Sequence, residues 1–328
     1  MIRTPLCDVL NIQYPIIQAA IAPYTTAELV SAVSNAGGMG SIGSALRSMD
    51  DLRMQVARTK ELTSRPFAIN FTITTFNEDI FNYVVSEAKP RIVSSALGNP
   101  KELVKRVHDA GLLFMHQVHT VKQARQAAEL GVDVIIAQGS EAGGFTGNVS
   151  SLSLVPQVVD AVADKKIPVI AAGGIADGRG LAAALMLGAQ GVNMGTRFLA
   201  SSEASLVGPE WQKQIISAES EDAIKVNFLD SVFPVANPDA YGEIAPRALR
   251  TRFIEEWNIK SGEAKSQAPQ LRSTILTGIK EGRSHELVPF SGQSAGLIRN
   301  VLPAKEIITN IMNEAEERIR SLKANALS

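Results

Sequence analysis

Short apolar runs boxed in by Gly, Pro, Ser or Asn alternate with helical patterns eight times before residue 200. That alternation restricts what the chain can fold into more than any other feature. The runs at 14–18, 39–44, 67–71, 91–96, 113–118, 134–138, 169–172 and 191–195 read as buried strands. Their starts fall 21 to 35 residues apart, the spacing of a strand–helix unit. Between them TTAELVSAVSNAG, PKELVKRVHDAG, TVKQARQAAELG and GRGLAAALMLGA carry helical patterns, each ending at or beside a glycine suited to a C-cap. Eight such units predict an α/β chain closed into a (β/α)8 TIM barrel. An open doubly wound sheet would call for a Gly-rich phosphate turn after an early strand. Gly38, Gly40 and Gly43 do satisfy G-x-G-x-x-G, but they run from a helix end into a strand, the reverse of the dinucleotide fingerprint.

After Phe198 the rhythm stops, and residues 201 to about 285 hold helical patterns, both tryptophans and no clear strand. The expected organisation is a (β/α)8 barrel domain over 1–205, a helical lid insertion over 206–285 and a segment, 286–328, that returns to the barrel. That last segment opens with SGQSAGLI and ends in an amphipathic helix with Ile307, Ile308 and Ile311 on one face.

Composition narrows the partners. Lys+Arg 32 against Asp+Glu 33 gives a net charge of −1, without the footprint of a nucleic-acid or anionic-membrane binder, so a small-molecule substrate is expected. No stretch reaches the roughly 18 to 20 apolar residues of a membrane span, and self-association is left open. Four His and the lone Cys7 exclude a disulfide framework and a cysteine-rich zinc site, which points to a reducing cytoplasm. MIRTPLCDVLNIQYP is broken by charges and two prolines and does not read as a signal peptide.

In this architecture function sits on loops at the C-terminal ends of the strands, with a phosphate site commonly after strands seven and eight. The loops there are AAGGIADGRG, with Gly173 and Gly174, and NMGTRF, with Gly195. Glycines let backbone N–H groups approach an anion, and a helix starting near Asp177 or Gly178 would add its positive end. The alternative is that the glycines make tight turns and Asp177 is an N-cap. The longest interval holds QGSEAGGFTGNVSS, whose glycines suit a loop that covers or lines a ligand. Asn70 and Gln138 end strands three and six, where uncharged amides suit a heteroaromatic ring such as a flavin or, alternatively, cap the strand ends. His116 and His119 form H-x-x-H, a spacing that at a strand end does not bring two imidazoles onto one metal, and none is expected. His108 and His285 read as solvated, and Cys7 as a small packing residue.

The segments YPIIQAAIA, SNAGGMGSIGS, PFAINF, AQGSEAGGFTG, PVIAAGGIADGRGLAAALMLGAQGVNMGTRFLAS and SGQSAGLI together resemble the nitronate monooxygenase family, formerly 2-nitropropane dioxygenases. Flavin-dependent enoyl-acyl-carrier-protein reductases and NADH:quinone reductases are close relatives of that family. The resemblance is continuous to about residue 203 and resumes in the C-terminal return. It implies FMN in a (β/α)8 barrel under a helical lid, with contacts from Gln18, Asn70, Gln138, Gly143, Gly174, Asn193, Met194, Gly195 and Thr196, and Gly173 nearby. Two positions depart from the family pattern. Its loop normally reads EAGGH, with the His as proton acceptor or donor, and this chain has Phe145 there. Gln18-Ala19-Ala20-Ile21 stands where monooxygenases often have Gln-Gly-Gly-Met. A phenyl ring cannot exchange a proton near neutral pH.

The resemblance makes oxidation of an alkyl nitronate with O2 the default reading, since a substrate that arrives as an anion does not need the missing base. The alternative is an NAD(P)H-dependent reductase of an activated alkene, such as an enoyl thioester, or of a quinone, with NADH or NADPH as electron donor. A third reading is a flavin-binding protein with little turnover. His116, near the end of strand five, is the one other imidazole considered as an acid or base; its competing reading is a buried, hydrogen-bonded core residue.

Overall fold

A computed structural model describes residues 2–234, 244 and 246–326. Eight parallel strands, β1 Ile16–Gln18, β2 Gly40–Gly43, β3 Phe67–Thr72, β4 Ile92–Ala96, β5 Leu113–Val118, β6 Val134–Gln138, β7 Val169–Ala172 and β8 Gly191–Met194, follow one another around a nearly closed barrel. β8 pairs with β1 through Ile16↔Val192 to Gln18↔Met194, so the sheet curls back on itself. Only the β1–β2 join is thin, a single bridge Ile17↔Met39. There the Gln18 side chain extends the ladder: Ser41 N donates to Gln18 Oε1 at 2.9 Å and Gln18 Nε2 donates to Ser41 O at 3.3 Å.

Strand alternation sorts the side chains into two cores. Ile17, Met39, Ala68, Ile92, Met115, Val134, Ile136, Ile170 and Ala172 point inward. The helix Pro5–Leu10 plugs the N-terminal end of the barrel with Leu6, Cys7 and Leu10, so Cys7 is a buried packing residue. Gly191 makes room for that plug, because a Cβ on it would lie 2.6 Å from Leu6 Cδ2. Phe67, Ile69, Phe71, Val93, Phe114, Val118, Ile135 and Ala171 point outward into the larger core beneath the helices.

Each helix starts and stops for local reasons. Ser48 and Thr120 accept from the backbone N–H groups of Asp51 and Gln123, which caps two helix starts. Val121–Glu129 ends just before Gly131, which takes φ 82°, a conformation costly for any residue with a Cβ. The helix Ala304–Ala326 lays Ile307, Ile308 and Ile311, all buried, against the barrel helices Gly178–Met186 and Ala27–Asn35.

The chain between residues 206 and 285 is not purely helical. It includes a two-stranded antiparallel ribbon, β9 Ala223–Lys225 with β10 Arg247–Leu249, which corrects the strandless reading of this region. Around the ribbon, Val226, Phe228, Leu229, Ile254, Leu271 and Ile275 form a separate apolar cluster that Phe145 and Phe290 join from outside it.

Candidate active site

At the C-terminal end of the barrel the inward face of every strand opens into a cleft of about 650 Å³. Asn70 and Gln138 stand on its rim from β3 and β6, as strand alternation requires once Ala68 and Ile136 point into the barrel. Asn70 Nδ2 donates to Ser94 Oγ at 2.9 Å, which leaves its carbonyl oxygen and its second amide hydrogen to offer. Gly143, Gly173, Gly174, Asn193, Met194, Gly195 and Thr196 also line the cleft. Gly173 and Gly174 take φ 94° and 74°, and a Cβ on Gly173 would lie 3.0 Å from Gly139 O, so backbone forms this part of the wall.

The long loop after β6 is held from three sides. Ser151 N and Oγ donate to the Glu141 carboxylate at 3.0 and 3.1 Å. Gly144 and Arg247 exchange backbone hydrogen bonds of 2.9 Å, which fastens the loop to β10. Gln293 N donates to Glu141 O at 2.9 Å, and Gly292 N donates to Thr196 Oγ1 at 2.9 Å, so the SGQS segment locks onto both the loop and the start of the helix Thr196–Leu199. Arg247, half of this clasp, gave no sequence signal because β9 and β10 are three residues each.

At three positions the structure departs from a sequence reading or decides between two. Gln18 does not line the cleft; its side chain lies between β1 and β2, where Ser41 takes up the amide. The positive end of the helix Gly178–Met186 is also taken: Arg179 N and Gly180 N donate to Asp177 Oδ1, and Gly178 N donates to Glu314 Oε2. Asp177 is therefore an N-cap, and any anion at this end must be met by the glycine loops alone. His116 is the third. Its neighbours Met115 and Gln117 face the cleft, so alternation turns the imidazole to the outer face of β5, where Nδ1 and Ser95 Oγ are 2.8 Å apart. As a buried core residue it is not in reach of a ligand in the cleft.

His119 was passed over as part of a weak metal motif, yet it reaches the rim. Its Nε2 lies 2.8 Å from Gln138 Oε1. Among the described residues no cluster of three metal-ligating side chains exists. His108 is partly exposed and pairs with Asp133 at 2.8 Å.

Burial pushes the pKa of His116 down to about 3, helped by the neighbouring His119, with the Ser95 hydrogen bond opposing. Burial likewise pushes His119 down to about 4, with the Gln138 bond opposing and the Lys225 charge adding to the fall. Both are neutral in the folded protein at pH 7, whereas in the unfolded chain they titrate near the ordinary 6.5. Stability from this source is complete above pH 6.5 and is lost as pH falls toward the folded values, because only the unfolded state takes up protons there. Two such groups contribute at most about 2.7 kcal/mol per pH unit. Urea unfolding measured between pH 6.5 and 4.5 should show this slope, and His116→Gln should remove roughly half of it; an unchanged slope would contradict neutral burial of His116.

The opposite wall is apolar. Phe145, Phe233, Ile275, Leu276, Ile279 and Phe290 line it, with the Phe145 and Phe290 ring centroids 5.9 Å apart. Arg272 is the one charged side chain among the described lining residues; its Nε donates to Val232 O at 2.9 Å and its guanidinium lies over the Phe233 ring. The strand ends and their loops thus bring amides, hydroxyls and glycine backbone to the cleft among apolar barrel side chains such as Ile17, Met115 and Ile136, and the remaining lining adds rings and branched chains.

Glycine turns after the last two strands, at the C-terminal mouth of the barrel, define a (β/α)8 protein with the usual ligand end of that class, and the family match makes it an oxidoreductase. The chain belongs to the nitronate monooxygenase family, whose model, described as "Nitronate monooxygenase", matches residues 3–83 and 81–314. It is 31% identical to a (3aS,4S,5R,7aS)-5-hydroxy-7a-methyl-1-oxo-octahydro-1H-indene-4-carboxyl-CoA dehydrogenase of Mycobacterium tuberculosis, over 98% of this chain and 99% of that one. It is 32% identical to a probable nitronate monooxygenase of Staphylococcus saprophyticus, over 96% and 98%. Among solved structures, FabK from Thermotoga maritima superposes with a TM-score of 0.89 at 35% identity, covering 99% of each chain. A nitroalkane oxidase from Streptomyces ansochromogenes gives 0.82 at 25% identity, covering 97% and 99%. No helix among the described residues is long and apolar enough to cross a membrane.

Proposed function

We propose that the protein is an FMN-dependent reductase of a substrate with a bulky apolar acyl part, an activated alkene of the enoyl-thioester kind, with NADH or NADPH as electron donor. The observation that carries this reading is the composition of the cleft lining: phenyl rings and branched chains at Phe145, Phe233, Ile275, Leu276, Ile279 and Phe290 added to the apolar barrel side chains, and no histidine, carboxylate or lysine among the described lining residues. Such a wall solvates an acyl chain and offers no base to deprotonate a neutral carbon acid. The M. tuberculosis relative is named for an acyl-CoA substrate.

The residues present fit FMN. Asn193 Oδ1 is buried without a hydrogen-bond partner beside the cleft, the kind of orphan a heteroaromatic edge satisfies. Gly173, Gly174 and Gly195 keep two backbone turns clear of side chains, which suits a phosphate. Bound FMN would supply a two-electron relay between a nicotinamide and the alkene. The chain's own part is to hold the ring with Asn70, Gln138 and Asn193, to exclude water with the phenyl rings, and to leave the proton to a lining hydroxyl or to water. The described residues of 206–285 act in this reading as a lid, supported by the presence of Phe233, Ile275 and Ile279 in the cleft wall, while 235–243 and 245 lie outside the described residues.

Oxidation of an alkyl nitronate with O2 is the second reading, favoured by the family match. One anaerobic experiment separates them: holoprotein is mixed in turn with NADH, NADPH and a nitronate while the flavin absorbance is followed. Bleaching by a nicotinamide, reversed by an enoyl thioester, is the expected result. Bleaching by the nitronate alone would transfer the assignment to the second reading, and absence of any releasable flavin would end both.

A further inference from the structure

Nothing in the nitronate monooxygenase resemblance calls on His119, yet the fold holds it on three sides at the edge of the cleft. Its backbone N–H donates to Gln123 Oε1 at 2.7 Å. The loop after β6 crosses directly over its stem at Gly147, where a Cβ would lie 2.7 Å from His119 Cβ. Its ring meets Gln138 at 2.8 Å, and the residue is 1% exposed. The remaining ring nitrogen, Nδ1, is buried with no hydrogen-bond partner.

That orphan and the shorter contact decide the tautomer, since Nε2 lies 2.8 Å from Gln138 Oε1 and 3.5 Å from Gln117 Nε2. A neutral imidazole carries one N–H, and a buried N–H without an acceptor is rarer than a buried acceptor without a donor. The proton therefore sits on Nε2 and points at Gln138, which must answer with its carbonyl oxygen. An amide whose oxygen faces one way presents its NH2 the other way, and Gln138 lines the cleft.

We propose that His119 is a positioning residue that locks the Gln138 side chain with its NH2 toward the cleft, so that this rim donates a hydrogen bond to the flavin ring. The inference rests on the FMN reading above. A donor at the ring edge favours the reduced, more electron-rich flavin over the oxidised one. Without the imidazole N–H the amide is free to turn, and an oxygen facing the ring has the opposite effect.

The test is the two-electron midpoint potential and visible spectrum of bound FMN in intact holoprotein. His119→Phe keeps the ring and removes the donor, and it should retain flavin while losing about tenfold in its preference for the reduced form, a downward shift of roughly 30 mV. His119→Gln, which places an amide N–H near the lost Nε2, should restore most of that shift. Gln138→Leu should produce a similar shift, and the double variant little more, since both changes break one interaction. Should the phenyl ring prevent folding, His119→Leu serves in the same cycle. A His119 variant with wild-type potential and spectrum, or additive shifts in the double variant, would overturn the positioning role while leaving the FMN reading intact. Wild-type protein that cannot be loaded with FMN would overturn both.

Discussion

Gly195→Val should lower FMN affinity at least a hundredfold while leaving the apoprotein folded. Gly195 lines the cleft immediately before the helix Thr196–Leu199, and its backbone conformation is one that any residue adopts. The first atom a Cβ would meet is Ile21 Cδ1 at 3.2 Å, the far end of a flexible side chain that can give way. The added isopropyl group instead fills the approach to the backbone. Loss of two hydrogen bonds to a charged phosphate, at about 1.5–3 kcal/mol each, corresponds to the predicted hundredfold or more. Fluorescence titration of apoprotein with FMN, beside a thermal melt of the same sample, measures both halves of the prediction. Full flavin content in the variant would move the phosphate elsewhere. Gly174 is a poorer place for this test, since its φ of 74° makes a β-branched residue strained by roughly 1–3 kcal/mol with or without ligand.

The second large effect concerns Phe145. Its ring lines the cleft and packs toward Phe290, in the loop position where the family resemblance leads one to expect an imidazole. The wild-type protein should therefore discriminate against a neutral nitroalkane relative to its preformed nitronate by about 10²–10⁴ in kcat/KM, the usual worth of general-base assistance. Phe145→His should narrow that ratio and weaken an apolar acyl substrate, because it puts a base into the wall and removes aromatic surface from it. Steady-state kinetics on a nitroalkane, its nitronate and an enoyl thioester, with His116→Ala as a control, would check this. His116 faces away from the cleft, so the control should behave as wild type. Rapid wild-type turnover of the neutral nitroalkane would show that proton abstraction here does not depend on this loop position.

Much of the barrel was legible before any coordinates, for a simple physical reason. Parallel strands are buried on both faces, so they appear as short continuous apolar runs, and several helices between them carry a cap or a terminator in adjacent residues. β5, β6 and β7 begin and end where the runs do, and Gly131 terminates its helix by a property of glycine alone. β9 and β10 were invisible because three residues hold no periodicity, and what makes them strands is Arg247, bonded to Ser140 O at 3.0 Å and to Gly144 across the loop. The cleft residues Asn70, Gln138 and Asn193 were within reach of sequence reasoning because strand ends in this architecture face one rim.

What sequence leaves open about individual side chains has one cause. Gln18, His116 and His119 all lie at or near strand ends, and sequence position does not tell which side of the sheet a side chain meets when the strand is short or has just ended. Residues 113–118 are apolar enough on both faces that the direction of His116 follows only once Met115 is seen in the barrel. His119, one residue beyond β5, is turned to the rim by Gln123 and by the passage of Gly147, contacts made across 4 and 28 positions of the chain. The amino-acid sequence by itself determined the eight strand–helix units, their order, and the glycine turns at the end where chemistry occurs, because those follow from local burial pattern and backbone freedom. Only the tertiary structure decided which amide closes the barrel and which faces the cleft, and which imidazole packs behind β5 and which meets Gln138 at the rim, because those depend on neighbours that are distant in the chain and adjacent in space.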